Sequence, residues 1–157
     1  MQNLIIPSVV RSLHNFFTSI WIGGMLVMVI TFLPTIRKEI KDGELQGAVI
    51  DRVMSQHSKW VYIGIVVLAG SGLLLARLSG QTNGLFNFSS PYTSILSIKH
   101  ILVVLITVIA IVRSVAFKNA ASGKDKSKKK LSMALLMVNA LLGTVILVLS
   151  SIITVIG

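Results

Sequence analysis

Long apolar stretches alternate with short polar ones along the whole chain. Four of the apolar stretches are long enough to cross a hydrocarbon core of roughly 30 Å, which takes about 20 helical residues. They must be helical, because lipid offers no hydrogen-bonding partners to an extended or irregular backbone. The pattern predicts an all-α membrane protein, a single domain over residues 1–157 that forms a four-transmembrane-helix bundle with spans at residues 8–36, 60–78, 93–117 and 131–156.

Basic residues are concentrated in two of the three connections between these spans. Residues 37–59 contain five lysines and arginines, residues 118–130 contain six lysines, and residues 79–92 contain no charged residue. Cytoplasmic connections of membrane proteins carry an excess of Lys and Arg. We therefore expect a multi-pass protein of the cell membrane, with loops 37–59 and 118–130 cytoplasmic and both termini extracytoplasmic.

The composition agrees with this interpretation. Hydrophobic residues make up 54% of the chain and charged residues 13%, whereas a soluble domain has about 25% charged residues. The net charge of +10 arises mostly in the two basic connections, which favours a membrane face over a nucleic-acid binder. The absence of cysteine excludes disulfides, zinc–thiolate sites and iron–sulfur clusters within this chain. We interpret the N-terminal apolar segment as a retained span, because it is longer than the core of a signal peptide.

The two basic connections have different patterns. In the first, apolar residues recur at helical spacing and predict a short amphipathic helix before the second span; these are Leu45, Val49, Ile50 and Val53. The lysine-rich connection reads as a solvated, flexible turn that can touch anionic lipid head groups. Arg113, near the inner end of the third span, is expected to extend its side chain to the membrane surface.

Two histidines lie inside predicted spans at matching depth. The first and third spans both enter from the extracytoplasmic side, so His14 and His100 each lie roughly 10 Å below that surface at about 1.5 Å per residue. An ionisable group within a membrane span indicates a functional site. Two imidazoles on different helices can hold haem iron or copper. The helix face of His14 continues through residues that suit a cofactor pocket, namely Thr18, Trp21, Met25 and Met28.

Other interpretations of these histidines stay open at this point. The two rings can hydrogen-bond to each other, or each to a serine or threonine. His57 lies near the cytoplasmic end of the second span, roughly a membrane thickness away, and cannot share their site. An amphipathic interfacial role is the simpler reading of His57.

The charges on the extracytoplasmic side favour an anionic cofactor. All five acidic residues of the chain fall in the two predicted cytoplasmic connections, whereas Arg11, Arg77 and Lys99 lie toward the other side without a carboxylate. Buried cations need partners, and haem propionates would serve. Contact with lipid phosphates is the alternative, which suits Arg11 and Arg77 near the span ends better than the deeper Lys99.

The motif Leu13-His14 followed by Trp21-Ile22-Gly23-Gly24 resembles the first helix of the copper-resistance-D (CopD-like) membrane domain. The stretch from Tyr92 to Lys99-His100 is similar to a later helix of that domain, and residues 58–75 are similar to the helix between them. The same pattern occurs in HemJ-type protoporphyrinogen oxidases, which belong to a related superfamily. The resemblance covers roughly residues 12–114.

This resemblance implies a helical membrane bundle and two different functions. From the HemJ side it implies haem b, with His14 as a ligand and Lys99 as a functional residue. From the CopD side it implies copper uptake or tolerance. His100 has no counterpart in either motif, so its assignment rests on its depth.

Three hypotheses follow from the sequence. In the first, the protein binds haem b near the outer leaflet and serves in electron transfer, as an oxidoreductase or redox subunit; its cofactor-binding residues are His14, His100, Lys99, Arg11, Arg77 and Trp21. In the second, His14 and His100, with Met25 as a further candidate, bind copper for transport or tolerance. In the third, the chain is a cofactor-free accessory subunit of a larger membrane complex. The expected partners are the lipid bilayer and a redox partner or larger complex, with a homo-oligomer compatible with each hypothesis.

Overall fold

Four long helices account for most of the computed structural model, which describes residues 2–78, 86–118 and 120–156, with side chains from residue 5 onward. All four are long and apolar enough to cross a membrane, and no strand occurs in these ranges. The prediction of four spans in an all-α protein is confirmed. Their bounds are Ile5–Glu39, Gly43–Leu78, Pro91–Ala116 and Lys126–Ile156.

The first span is not a uniform α-helix. Its α-helical segments, Gln2–Thr18, Gly24–Val27 and Leu33–Glu39, are separated by two π-helical stretches, Ser19–Gly23 and Met28–Phe32. The first stretch ends at the glycine pair Gly23-Gly24, and the second lies just before Pro34, which has no N–H to donate to the preceding turn. Trp21, Ile22 and Met28 lie in these wider turns and are buried in the core.

The second span is far longer than its apolar segment. The predicted amphipathic lead-in and the span at residues 60–78 form one continuous helix, Gly43–Leu78, so residues 43–59 are helix rather than loop. Asp42 caps its start, accepting hydrogen bonds from the backbone N–H groups of Glu44 and Leu45 at 2.8 and 3.1 Å. Thirty-six residues rise roughly 54 Å, which exceeds a hydrocarbon core of roughly 30 Å. Part of this helix therefore extends beyond the bilayer.

Side-chain caps also start the third and fourth spans. Ser90 and Thr93 form a reciprocal capping box at the start of Pro91–Ala116. Asp125 accepts hydrogen bonds from the backbone N–H groups of Ser127 and Lys128, so the fourth helix begins at Lys126. Residues 126–130, at the end of the lysine-rich segment that was predicted as a flexible turn, are therefore helical, whereas residues 120–124 form turns and bends.

Two helix pairs build the bundle. The first span packs along the second, the third packs along the fourth, and the pairs meet through the middle of the first span and the fourth. Gly143 allows this approach, because a Cβ there would lie 3.0 Å from Ile22 Cγ2. Asn139 is buried and donates from Nδ2 to the carbonyl oxygen of Ile106 at 3.2 Å. Large apolar side chains such as Val66, Val115 and Leu141 are exposed along the spans, as suits a surface that faces lipid.

The bundle has two chemically different ends. The termini end carries the start of the first helix at Gln2, the ends of the second and fourth at Leu78 and Ile156, and the start of the third at Pro91. The basic end carries residues 40–42 and the described residues of the connection before Lys126. At the basic end Asp51 of the second helix accepts hydrogen bonds from the N–H groups of Ala121 and Ser122 at 3.0 and 2.8 Å, and from the Ser122 hydroxyl. One carboxylate thus holds the third connection against the second helix.

Gly47 is required for this contact. A Cβ at Gly47 would lie 2.5 Å from the Ala121 carbonyl oxygen and 2.7 Å from the Ser122 Cα, which are backbone atoms that cannot rotate away. We expect Gly47→Ala to destabilise the protein by about 1–3 kcal/mol, the cost of overpacking. The matched control is Gly70→Ala in the same helix, where a Cβ meets nothing within 4 Å. The measurement is the Tm in detergent, and an equal Tm for the two variants would contradict the prediction.

The glycine pair of the first span gives a second test. A Cβ at Gly24 would lie 2.6 Å from the His57 ring, whereas a Cβ at Gly23 meets nothing within 4 Å. We expect Gly24→Ala to lower the Tm and Gly23→Ala to leave it unchanged or raise it, because alanine favours the helix.

The cause of this effect is tested by a double-mutant cycle. Removing the ring with His57→Ala should restore the stability lost in Gly24→Ala. If the stability losses of Gly24→Ala and His57→Ala simply add in the double variant, the His57 ring is not the group that requires glycine at position 24.

Candidate functional site

His14 is fixed by a hydrogen bond across the helix pair at the termini end. Its Nδ1 lies 2.8 Å from the Ser71 Oγ, and Ser71 is buried in the second helix. The Ser71 hydroxyl donates its single proton to the carbonyl oxygen of Val67 at 2.6 Å. In this arrangement the hydroxyl oxygen accepts toward His14, which assigns the ring proton to Nδ1. The lone pair of the neutral ring is then on Nε2, which is the tautomer and orientation of a typical metal-ligating histidine.

The surroundings of His14 are small and positively charged. Gly72 lies beside the ring, at a distance where an added Cβ would come 3.8 Å from Cε1. Lys99 of the third helix is half-buried and close enough for its charge to act on the His14 ring. Arg11 and Arg77, which were predicted to help bind a cofactor here, are both exposed. They lie at the surface of the termini end, where lipid phosphates are within reach.

His100 is half-buried in the third helix, directly after Lys99. Within residues 2–78, 86–118 and 120–156, no group of three or more His, Asp or Glu side chains is placed to hold a metal ion. A metal at the termini end would thus depend on fewer such ligands. The pairing of His100 with His14 stays a prediction.

Trp21 and Met25 lie away from His14. Both are buried and line a small cavity in the middle of the bundle together with His57 and Asn139. Met25 is eleven residues after His14, roughly 16 Å along the helix, so it does not join a site at the His14 ring. The indole Nε1 of Trp21 is buried and has no hydrogen-bond partner among the described residues.

His57 is more enclosed than an interfacial residue. Its ring occupies the space beside Gly24, and its Nε2 is buried without a hydrogen-bond partner in the described part of the chain. Fourteen residues of the same helix separate it from Ser71, which is roughly 21 Å. The His57 region and the His14 region are therefore two separate polar sites.

Arg113 does not reach the membrane surface, and the expectation that it would was wrong. It is 8% exposed, and its Nη1 donates to the Met54 Sδ at 3.3 Å. Its Nε has no partner among the described residues. The second helix continues well past its apolar segment and covers the third-helix face that carries Arg113. Ile106 and Ala110, seven and three residues earlier on the same helix face, are buried as well.

Arg113 lines a cavity of about 240 Å³ at the basic end. The second, third and fourth helices form its walls, and its polar lining residues are Asp51, Ser55, Ser58, Lys59, Tyr62, Arg113, Ser114, Lys118, Lys129 and Ser132. Sequence reasoning did not identify this cavity, because its residues come from four separate segments of the chain.

The family model described as Copper resistance protein D matches residues 51–153. The match contains His57, Lys99, His100 and Arg113, and it begins after the first span, which carries His14. No curated protein and no solved structure matches the chain. The matched region is more than half of the chain and includes most of three of the four spans. This chain therefore belongs to the copper resistance protein D family and is a multi-pass membrane protein.

Proposed function

We propose that this protein handles copper in the membrane and that His14 is one of its ligands. The observation that supports this proposal is the chain of hydrogen bonds from His14 Nδ1 through the Ser71 hydroxyl to the Val67 carbonyl. It leaves Nε2 as the basic nitrogen, and imidazole nitrogen is a good ligand for copper. Family membership favours copper over other metals.

His100 is the proposed second ligand, because it lies at a similar depth on a different helix. Two imidazoles are a small ligand set, and such a site would release its metal more readily than a four-ligand structural site would. This suits transport or tolerance better than permanent storage. Lys99 would affect a copper ion and a haem at this site in opposite ways.

Haem b is the second candidate, and Lys99 is the observation that favours it. A cation beside His14 repels a copper ion but attracts the propionate groups of a haem. In that case His14 and His100 would be axial ligands, and the protein would serve as a redox subunit.

Metal content and an optical spectrum distinguish these functions. We expect the purified protein to bind copper and His14→Ala to lose it. Ser71→Ala, which removes only the group that orients the ring, should weaken binding about 10–100-fold, as is typical of outer-shell partners of metal ligands. His57→Ala is the matched control, because that histidine belongs to the other polar site.

Other outcomes of this experiment are equally clear. If the purified protein contains no copper but shows a Soret band that disappears in His14→Ala, the cofactor is haem and not copper. Neither metal nor haem in the purified protein, with copurifying larger subunits, would indicate an accessory subunit and contradict both metal hypotheses.

We also propose that the basic end faces the cytoplasm and that both termini lie outside the cell membrane, because basic connections are retained on the inner side. The chain has no cysteine, so single cysteines can report the side directly. On intact cells, a membrane-impermeant maleimide should label Ser89→Cys, in the uncharged connection, and leave Lys124→Cys, in the lysine-rich connection, unlabelled until the cells are opened. The opposite labelling pattern would reverse the orientation.

A further inference from the structure

The cavity at the basic end has more positive charge than its own residues can neutralise. Four cations line it, Lys59, Arg113, Lys118 and Lys129, against the single carboxylate of Asp51. Both oxygens of that carboxylate already accept hydrogen bonds, from the N–H groups of Ala121 and Ser122 and from the Ser122 hydroxyl. Asp51 therefore holds the third connection in place, and the cavity keeps an excess of positive charge.

Arg113 is the most buried of these cations, and its hydrogen-bond donors are only partly satisfied among the described residues. Its side chain is 8% exposed, its only hydrogen-bond acceptor in the described residues is the weakly accepting sulfur of Met54, and Nε has none. Burying a guanidinium without an anionic partner is costly. An anion that entered the cavity would supply the acceptor that the protein itself does not provide.

The remaining polar groups of the wall are suited to an oxyanion. Five residues with hydroxyl groups line the same cavity, namely Ser55, Ser58, Tyr62, Ser114 and Ser132. Hydroxyl, ammonium and guanidinium donors together match the several oxygens of a phosphate group, which guanidinium binds in a bidentate manner. The same four cations would repel a copper ion, so this cavity is not a second metal site.

The size and the position of the cavity define the ligand further. Its volume of about 240 Å³ is below the roughly 300–1,000 Å³ of pockets for drug-sized ligands. Lys59 and Lys118 are exposed at its mouth, and Lys118 comes two residues after the end of the third span. The cavity therefore opens near the level of lipid phosphates, where basic pockets between helices bind anionic head groups.

We propose that this cavity binds a phosphate group, with Arg113 as its buried anchor and Lys59, Lys118 and Lys129 around its mouth. The phosphate is that of an anionic phospholipid head group or of a small soluble phosphate. This site is separate from the proposed metal site, and its occupancy does not depend on copper or haem.

The test uses the full chain in lipid nanodiscs and native mass spectrometry. We expect the protein to retain phosphatidylglycerol in preference to phosphatidylcholine. Lys129→Gln should weaken this binding by at least about tenfold, as for the loss of a charge-assisted hydrogen bond. Lys130→Gln is the matched control, because Lys130 is the next residue of the same helix, is exposed and does not line the cavity; it should change binding less than about twofold.

Two further variants keep the test decisive. Arg113→Gln should abolish preferential binding, and Lys59→Gln provides an independent reading if Arg113→Gln does not fold. In phosphatidylcholine discs, a rise in Tm with millimolar inorganic phosphate that is lost in Lys129→Gln would assign the site to a soluble phosphate instead of a lipid. The proposal would be overturned if Lys129→Gln and Lys130→Gln lost phosphatidylglycerol binding to the same extent. It would also be overturned if the protein neither retained phosphatidylglycerol nor gained Tm with inorganic phosphate.

Discussion

Inside a bilayer, a polar side chain can bond only to the protein around it, since the hydrocarbon offers no donors or acceptors. Most hydroxyl groups in the spans meet this constraint within their own helix. Thr18, Thr107, Thr144 and Ser150 each donate to the carbonyl oxygen four residues earlier. Such residues add polarity at little cost and require no partner helix.

The informative residues are those that cannot be satisfied in this local way. His14 needs Ser71 from the second helix, Asn139 needs the Ile106 carbonyl of the third, and Arg113 has only a sulfur. Each of these contacts joins two different helices and fixes which faces of them meet. Two of these residues, His14 and Arg113, are the candidates for ligand binding. The guanidinium of Arg113 keeps a donor without a partner among the described residues, which a ligand could satisfy.

The two ends of the bundle are accordingly suited to different chemistry. At the termini end, the proposed metal site is the His14 ring, and a cation at Lys99 would favour haem over copper there. At the basic end, a buried guanidinium surrounded by lysines and hydroxyls suits an oxyanion. The long second helix connects the ends, since Ser71 lies on the wall of one site and Met54 on the wall of the other.

Much of the architecture could be predicted from hydropathy. The four spans follow from apolar length alone, and residues 45–53 carried a helical period that correctly predicted helix before the second span. What was not predictable is that the start of this helix packs on the third connection, because Gly47 and Asp51 contact Ala121 and Ser122, about seventy residues later. The burial of Arg113 follows from the same packing and was mispredicted for the same reason.

The sequence by itself determined that the chain is a four-helix membrane protein with one uncharged connection between spans and two strongly basic ones. It also singled out His14, because an imidazole in an apolar span is conspicuous without any knowledge of the fold. Only the tertiary structure decided that Ser71 orients this ring, that Trp21 belongs with His57 rather than His14, and that four separate segments enclose one basic cavity. The physical reason is that span formation depends on local apolar length, whereas a site depends on which faces of distant segments meet.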